Sequence, residues 1–224
     1  IKGKNFGWPF LPYYNQAILG SFASLYQLMP RDRHDTVVGL DGAPLGSLYD
    51  IETWEKYQWG LLDPEMDKTY ARLFPDVATT EERRAIAYST LAHHLNEAKR
   101  FTEALDKPAA APARLLFDLV LGDADKTIRK VAYDPVKKSF KTLIEVPGDG
   151  TVPRYSALMD EREDGDMSQW TPRLRSPIAF DNVMILPYDH IGLTQSKVFI
   201  NNMLYWLLVD PRPSGTPLGY PLSQ

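Results

Sequence analysis

Apolar residues recur every three or four positions over residues 79–106, and this period predicts the longest helix of the chain. Thr79 and Glu82 have the spacing of a capping box, so we expect the helix to begin there. The helical period is lost in the proline-containing residues 107–112, which indicates a change of structural class. The apolar stripe of this predicted helix comprises Tyr88, Leu91, Leu95, Ala98, Phe101 and Leu105.

Shorter helices are predicted upstream of this long one. The helical period also occurs over residues 16–29, 48–57 and 64–73, while the polar, glycine-rich residues 31–47 predict a loop. An Asp-Pro pair at 63–64 supplies an N-cap and a first-position proline for the third of these helices. The pattern therefore predicts a mostly helical first part of the chain.

Downstream of residue 112 the pattern changes to that of strands. The near-continuous apolar residues 115–121 predict a central strand, and residues 183–186 predict a second buried strand. Residues 127–133 and 139–146 flank a proline-containing turn, which is typical of a hairpin. A final helix is predicted over 195–208, with the preceding threonine as its N-cap. Helices combined with buried strands favour the α/β class.

Composition narrows the range of functions. The chain is 44% hydrophobic and 12% aromatic, so its 224 residues can bury a substantial core. A formal net charge of −4 without a basic stripe argues against a nucleic-acid partner. The absence of cysteine, of a metal-ligand cluster and of a glycine-rich phosphate loop leads us to expect no metal and no cofactor. No apolar run approaches the ~20 residues of a membrane span, so no transmembrane segment is predicted.

Two clusters of aromatic residues leave two interpretations open. One cluster comprises Phe6, Trp8, Phe10 and Tyr13, and the other comprises Trp54, Tyr57 and Trp59. Either cluster can fill the core of its own domain, or it can form a wall against an apolar ligand such as an acyl chain. The spacing of the residues does not separate these interpretations.

The candidate chemistry lies on two loops. Asp149 stands between two glycines in a sharp turn, and His190 follows the predicted strand at 183–186. Sites in open α/β sheets are built at the carboxyl ends of strands. A carboxylate followed by a histidine is the end of a Ser…Asp…His chain order, whereas a Gly-x-Ser-x-Gly motif for the nucleophile is absent from the sequence.

The residues alone do not decide which carboxylate belongs to the site. Asp123 and Asp125 follow the predicted strand at 115–121, where many hydrolases place the acid, although Asp149 has the shorter connection to His190. We expect the side chain of Asp189, which adjoins the histidine, to point elsewhere. Two serines near the site in sequence, Ser156 and Ser196, do not lie on a predicted strand-to-helix turn, so neither is expected to be the nucleophile.

Four segments together form a family pattern. They are GSFASLYQLMP at 20–30, LYDIETW at 48–54 followed by Trp59-Gly60, GDGTVP at 148–153 and HIGL at 190–193. These segments resemble the lecithin:cholesterol acyltransferase-like and phospholipid:diacylglycerol acyltransferase-like α/β-hydrolases, including their uncharacterised bacterial members. The similarity runs over most of the chain, and the GDGTVP segment is the most specific part of it.

The resemblance implies the C-terminal part of an α/β-hydrolase fold. Residues 1–78 would be the helical lid-like region, and residues 79–224 would hold the last strands and helices of the core. Asp149 would be the acid of a catalytic triad and His190 its base, in a serine mechanism that acts on acyl esters with water or an alcohol as acceptor.

The family's nucleophilic serine and oxyanion hole lie upstream of anything that corresponds to residue 1. We therefore expect an upstream segment or a companion chain to supply them. The resulting expectation is an esterase, lipase or acyltransferase site. The alternative is a non-catalytic hydrolase-like module that binds a lipid or a protein partner.

Overall fold

The computed structural model describes residues 15–107, 112, 115–159 and 180–209. The first aromatic cluster lies outside the described residues. The chain forms two compact units: the first comprises Ile1–Leu105 with Ala132–Lys141, and the second comprises Asp106–Val131 with Thr142–Gln224. The predicted helix at 79–106 thus belongs to the first unit, and the assignment of a lid and a hydrolase core to 1–78 and 79–224 stays a prediction.

The first unit is built from five helices and one short strand among its described residues. They are α1 (Gln16–Leu19), α2 (Ala23–Gln27), β1 (Val37–Gly39), α3 (Ile51–Tyr57), α4 (Asp67–Leu73) and α5 (Thr80–Leu105). The region predicted as a loop at 31–47 therefore contains a strand. The sequence signal was weak there because only three residues pair.

The prediction of a single helix over 16–29 is wrong, because the chain forms two helices there, α1 and α2. The division occurs at Gly20, whose carbonyl accepts a 2.9 Å hydrogen bond from the hydroxyl of Tyr26. A Cβ on Gly20 would lie 2.6 Å from the side chain of Leu61, so the backbone bends where it packs closely on that leucine. Gly20 and Leu61 are far apart in sequence, so the hydrophobic period of residues 16–29 could not predict their contact.

The two predicted capping residues act as caps, Asp63 for the 3₁₀ turn that precedes α4 and Thr79 for α5. Asp63 accepts a hydrogen bond from the backbone N–H of Glu65, with Pro64 at the first position of the short 3₁₀ turn that leads into α4. In the capping box of α5, the backbone N–H of Glu82 donates to the Thr79 hydroxyl over 3.2 Å, and the Glu82 carboxylate accepts from Thr79. Side-chain oxygens thus satisfy helix N–H groups that have no partner within the helix.

The core of the first unit forms where α5 packs on α2, α3 and α4. Leu91, Leu95 and Ala98 on α5 are buried, whereas Tyr88 and Phe101 from the same predicted stripe stay more than a third exposed. The predicted apolar stripe is therefore buried at its centre, whereas residues nearer its ends remain partly exposed. The buried cluster comprises Ala17, Tyr26, Tyr49, Trp54, Leu61, Met66, Tyr70, Ala87, Leu91, Leu95 and Ala98.

The second unit contains the strands predicted downstream. They are β2 (Asp118–Gly122), β3 (Asp125–Asp134), β4 (Ser139–Gly148) and β5 (Asn182–Leu186), together with the helices α6 (Arg154–Ala157) and α7 (Lys197–Leu204). β3 and β4 form the predicted hairpin, whose tip at Ala132–Lys141 belongs to the first unit. β2 and β5 pair in parallel, with Gly122 opposite Leu186.

The last helix begins two residues later than predicted. A 3₁₀ turn at Leu193–Gln195 precedes α7, and the N-cap is Ser196, whose hydroxyl accepts from the backbone N–H of Phe199 over 3.1 Å. The predicted cap, Thr194, lies inside that turn and donates to the carbonyl of Ile191. The mixture of helices and strands confirms the α/β class. Among the described residues, none of the helices has the length and apolar character to cross a membrane.

Candidate active site

The structure brings Asp149 and His190 together. Asp149 directly follows β4, and His190 lies four residues beyond the end of β5. The Nδ1 atom of His190 lies 2.9 Å from the Oδ2 atom of Asp149. The backbone N–H of His190 also donates to the carbonyl of Asp149 over 2.9 Å. Two separate contacts therefore join the same two residues.

A tight turn orients the carboxylate of Asp149. Its Oδ1 atom accepts hydrogen bonds from the backbone N–H groups of Thr151 (2.9 Å) and Val152 (2.6 Å). Gly150 has a φ of +86°, a conformation that glycine adopts without steric cost. One carboxylate oxygen is thus held by the backbone of its own loop, and the other is left to face the histidine.

A second glycine lets the two loops approach each other. A Cβ on Gly122, at the end of β2, would lie 2.9 Å from the Cβ of Asp149 and would collide with the carbonyl of Tyr188. A larger residue at this position would push the Asp149 turn away from the loop that carries His190. Gly122, which directly follows the strand predicted at 115–121, therefore helps to define the geometry of the pair.

The carboxylate of Asp149 is charged at neutral pH. The residue is only 7% exposed, and this burial by itself would raise the pKa of the carboxyl. Hydrogen bonds from two backbone N–H groups and from His190 favour the charged form and outweigh burial, so the pKa lies below its ordinary value. An ionised carboxylate only accepts hydrogen bonds, and Nδ1 must therefore carry the proton.

This tautomer leaves the Nε2 atom of His190 as the basic position of the neutral ring. The side chain of His190 is 47% exposed, whereas that of Asp149 is 8% exposed. The pair therefore combines a buried anion with an accessible imidazole. Such a pair can accept a proton from a hydroxyl group and return it later.

The other carboxylates have different partners. Asp123 forms an ion pair of 2.6 Å with Arg154, and its backbone N–H donates to the carbonyl of Leu186. Asp189 accepts from the backbone N–H groups at 191 and 192, so its side chain closes its own turn, as expected. Asp125 forms an isolated parallel bridge with Asp149 through the backbone. Of the candidate acids, Asp149 is the one in contact with the histidine.

Neither serine considered near the site lies on a strand-to-helix turn. Ser156 is an exposed residue within α6, and Ser196 is the buried N-cap of α7. Among the residues that the structure describes, no hydrogen bond joins either hydroxyl to His190. Both positions agree with the expectation that the nucleophile is neither of these serines.

Sequence reasoning missed Thr127 and Arg154. The hydroxyl of Thr127, which is 2% exposed, accepts a hydrogen bond of 2.9 Å from the backbone N–H of Gly150. Arg154 lies in the first turn of α6 and neutralises Asp123 close to the same sheet edge. A threonine near the start of a hairpin strand has no distinctive pattern. Arg154 directly follows the GDGTVP segment, which is the one signal that pointed toward it.

No cluster of three or more histidine, aspartate or glutamate side chains suited to a metal ion occurs within the described ranges. In comparisons with known proteins, the chain matched no family model, no curated protein and no solved structure.

Proposed function

We propose that this chain supplies the acid and the base of a serine hydrolase or acyltransferase site that acts on acyl esters. The observation that carries the proposal is the Asp149–His190 pair, in which a buried carboxylate fixes the tautomer of an accessible imidazole. The GDGTVP and HIGL segments, which carry the family resemblance, are the two loops that hold this pair.

In this proposal the Nε2 atom of His190 removes the proton from a serine hydroxyl as its oxygen attacks the ester carbonyl. The tetrahedral intermediate collapses and expels the alcohol, which takes the proton back from the imidazolium. Water or a second alcohol then attacks the acyl-enzyme with the same base, and the acyl group leaves as an acid or a new ester. Asp149 stabilises the imidazolium in both steps while remaining ionised.

The serine and the oxyanion hole are proposed to come from an upstream segment or from a companion chain. The sheet formed by β2 and β5 supports this part of the proposal. Parallel sheets normally have both faces covered, yet Val183 and Ile185 on β5 are both more than 40% exposed. Among the described residues no third strand pairs with this sheet. Additional parallel strands would bring a nucleophile to the same edge, and the helices that connect such strands would cover the exposed apolar side chains on the sheet face.

The experiment is covalent labelling with a fluorophosphonate, which reacts with activated serines, followed by intact and peptide mass spectrometry. It uses the complete protein that carries residues 1–224. We expect one adduct on a serine outside these residues, and a labelling rate at least about 10³-fold lower in His190→Ala. The matched control is His93→Ala, which removes an exposed histidine on α5 and is expected to label normally.

Equal labelling of the wild type and His190→Ala would contradict the assigned base. An adduct on Ser156 or Ser196 would contradict the assigned origin of the nucleophile. If a correctly folded protein takes no label and hydrolyses no ester, the chain is a binding module and not part of an enzyme.

A further inference from the structure

The proposed chemistry does not use the outer edge of β4. The order of its three-stranded sheet is β1–β3–β4, and among the described residues no strand pairs with β4 on the side away from β3. An isolated bridge at Gly148 is confined to the last residue of the strand. Residues 140–145 are exposed without a break, and the side chains of Phe140, Leu143 and Ile144 are each at least 39% exposed. Such an edge presents backbone N–H and C=O groups to which another strand can add.

The charged side chains of β4 lie on one face of the strand. Successive residues of a strand point to opposite faces, so Lys141, Leu143 and Glu145 share a face, while Thr142 and Ile144 lie on the other. Lys141 and Glu145 are exposed, and neither forms an ion pair within the part of the chain that the structure describes. Their Cα atoms are about 14 Å apart along the strand, so these two charges cannot neutralise each other.

These two charges distinguish the ways in which β4 can pair with a second copy of itself. Parallel pairing in register places Lys141 opposite the partner's Lys141. Antiparallel pairing centred on Lys141 or on Glu145 likewise places like charges opposite each other, which is unfavourable. Antiparallel pairing centred on Leu143 instead places Lys141 opposite the partner's Glu145, and the two-fold symmetry repeats this contact. Because Lys141 and Glu145 are the only charged residues of the strand, this one register satisfies both charges.

We propose that β4 pairs antiparallel with β4 of a second copy of this chain, about a two-fold axis at Leu143. On one face, two Lys141–Glu145 ion pairs flank the contact between the two Leu143 side chains. On the other face, Ile144 of each copy packs against Thr142 of the other, and the backbone groups of both edges gain hydrogen-bond partners. The pairing joins two three-stranded sheets into one of six strands.

A two-fold contact of this kind is closed, so it yields a dimer and not a filament. The self-complementary order of the charges is the reason to assign the edge to a second copy and not to an unrelated strand. The pairing requires neither Asp149 nor His190, so it stands whether or not the proposed hydrolase activity is correct.

A charge exchange tests the proposal by analytical ultracentrifugation of the protein that carries residues 1–224. For the wild type we expect a monomer–dimer equilibrium with a dissociation constant on the order of 10 μM. Lys141→Glu and Glu145→Lys should each raise this constant at least about tenfold, because both cross-strand pairs become like-charged. An equimolar mixture of the two variants should dimerise as tightly as the wild type, since each pair again joins opposite charges.

The mixture also shows that the variants are folded, because an unfolded strand would not restore the dimer. The matched control is Lys137→Glu, which makes the same change of charge at an exposed position of the hairpin turn before β4 and should leave the dissociation constant unchanged.

An introduced cysteine tests the register, since residues 1–224 contain none. Leu143→Cys should place the two Cα atoms about 4.5–5.5 Å apart across the two-fold axis, within the range of a disulfide. In Thr142→Cys, the residue lies opposite the partner's Ile144, so its two copies are roughly 8 Å apart, which a disulfide does not span. With oxidised glutathione, we expect Leu143→Cys to form a linked dimer at least about tenfold faster than Thr142→Cys, with the linked peptide identified by mass spectrometry.

Three results would overturn the proposal. The first is a monomer at every concentration up to roughly 200 μM, well above the expected dissociation constant. The second is a dimer that neither charge variant weakens, or a mixture of variants that dimerises no more tightly than each variant alone. The third is equal cross-linking of Thr142→Cys and Leu143→Cys, which would contradict the register.

Discussion

The two units of this chain differ in how they use apolar residues. In the first unit, eleven buried residues form one cluster around α5, and the hydroxyl groups of Tyr26 and Tyr70 each find a carbonyl acceptor. In the second unit, the described residues include only four buried apolar side chains: Leu121, Val146, Leu158 and Leu186. At the same time Val183, Ile185, Leu207 and Leu208 remain at least 41% exposed.

The second unit, whose described residues bury fewer apolar side chains, holds the Asp149–His190 pair. Asp149 and His190 are held by hydrogen bonds between loops, a backbone turn and a close glycine contact. Hydrogen bonds between loops can therefore place two side chains precisely without many buried apolar residues around them. We therefore expect the proposed catalysis and the folding of the first unit to respond to different substitutions.

The largest expected effect concerns activity. Asp149→Asn should lower kcat/KM for ester hydrolysis about 10⁴-fold, because an amide no longer fixes the Nδ1–H tautomer or stabilises the imidazolium. Asn can still accept from the backbone N–H groups of its turn, so the fold should persist. Steady-state kinetics with a short-chain ester measures the effect on the complete protein. Asp123→Asn is the matched control, and a loss in that variant as large as in Asp149→Asn would break the assignment.

The next effect concerns stability of the first unit. Trp54 is 4% exposed and contacts the rings of Tyr26 and Trp59, so Trp54→Ala should cost about 3–5 kcal/mol. Hydrogen exchange measured by mass spectrometry should show lost protection in peptides from α3 and α5. Leu208→Ala, at a 71% exposed position, should change little. Equal loss of protection in β2 and β5 would show that the two units unfold as one.

A smaller effect should appear at alkaline pH. Burial raises the pKa values of the Tyr26 and Tyr70 hydroxyls above the ordinary value of about 10. A raised pKa favours the neutral form in the folded state, so this stability is fully present below pH ~10 and is lost as pH rises above it. Urea unfolding at several pH values from ~8 to ~11, on either side of the ordinary tyrosine pKa, measures the loss.

The double variant Tyr26→Phe, Tyr70→Phe should weaken this alkaline dependence. It should also lower stability at neutral pH by about 1 kcal/mol for each hydroxyl, because the acceptor carbonyls lose their donors. An alkaline loss of equal size in the double variant would place its origin elsewhere in the protein.

The smallest effect tests the support of the Asp149 turn. Thr127→Val removes the oxygen that accepts from the Gly150 N–H and keeps the branched shape, so it should cost about 1 kcal/mol. We expect kcat to fall about threefold to tenfold with little change in KM, since the turn holds the acid and not the substrate. Thr127→Ser keeps the oxygen and should restore most of the rate. Loss of activity in the serine variant would assign the role to the methyl group.

Local signals in the sequence predicted much of the fold. The capping box at Thr79 and Glu82, the Asp-Pro cap at 63–64 and the hairpin are all present because each depends on residues close together in the chain. The break between α1 and α2 was not predictable in this way, since it depends on Gly20 packing against Leu61.

The site was predictable only in part, for a geometric reason. Asp123, Asp125 and Asp149 all follow strand ends, and their spacing to His190 does not show which carboxylate reaches the ring. Three contacts decide which carboxylate reaches the ring. The turn at Gly150 orients Asp149, the absence of a side chain on Gly122 lets the two loops come close, and the ion pair with Arg154 holds Asp123. The family pattern pointed to Asp149, whereas the residues alone left the alternatives open.

A backbone hydrogen bond joins His190 to Asp149, so the position of the loop that carries His190 does not depend on the imidazole side chain. The backbone N–H donates to the Asp149 carbonyl whatever residue stands at 190, except proline. Truncation of the ring to a methyl group therefore leaves an opening toward solvent with the Oδ2 atom of Asp149 as its inner wall. Free imidazole can enter such an opening and meet the same carboxylate. In the proposed mechanism, imidazole from solution would then act as the base in place of His190.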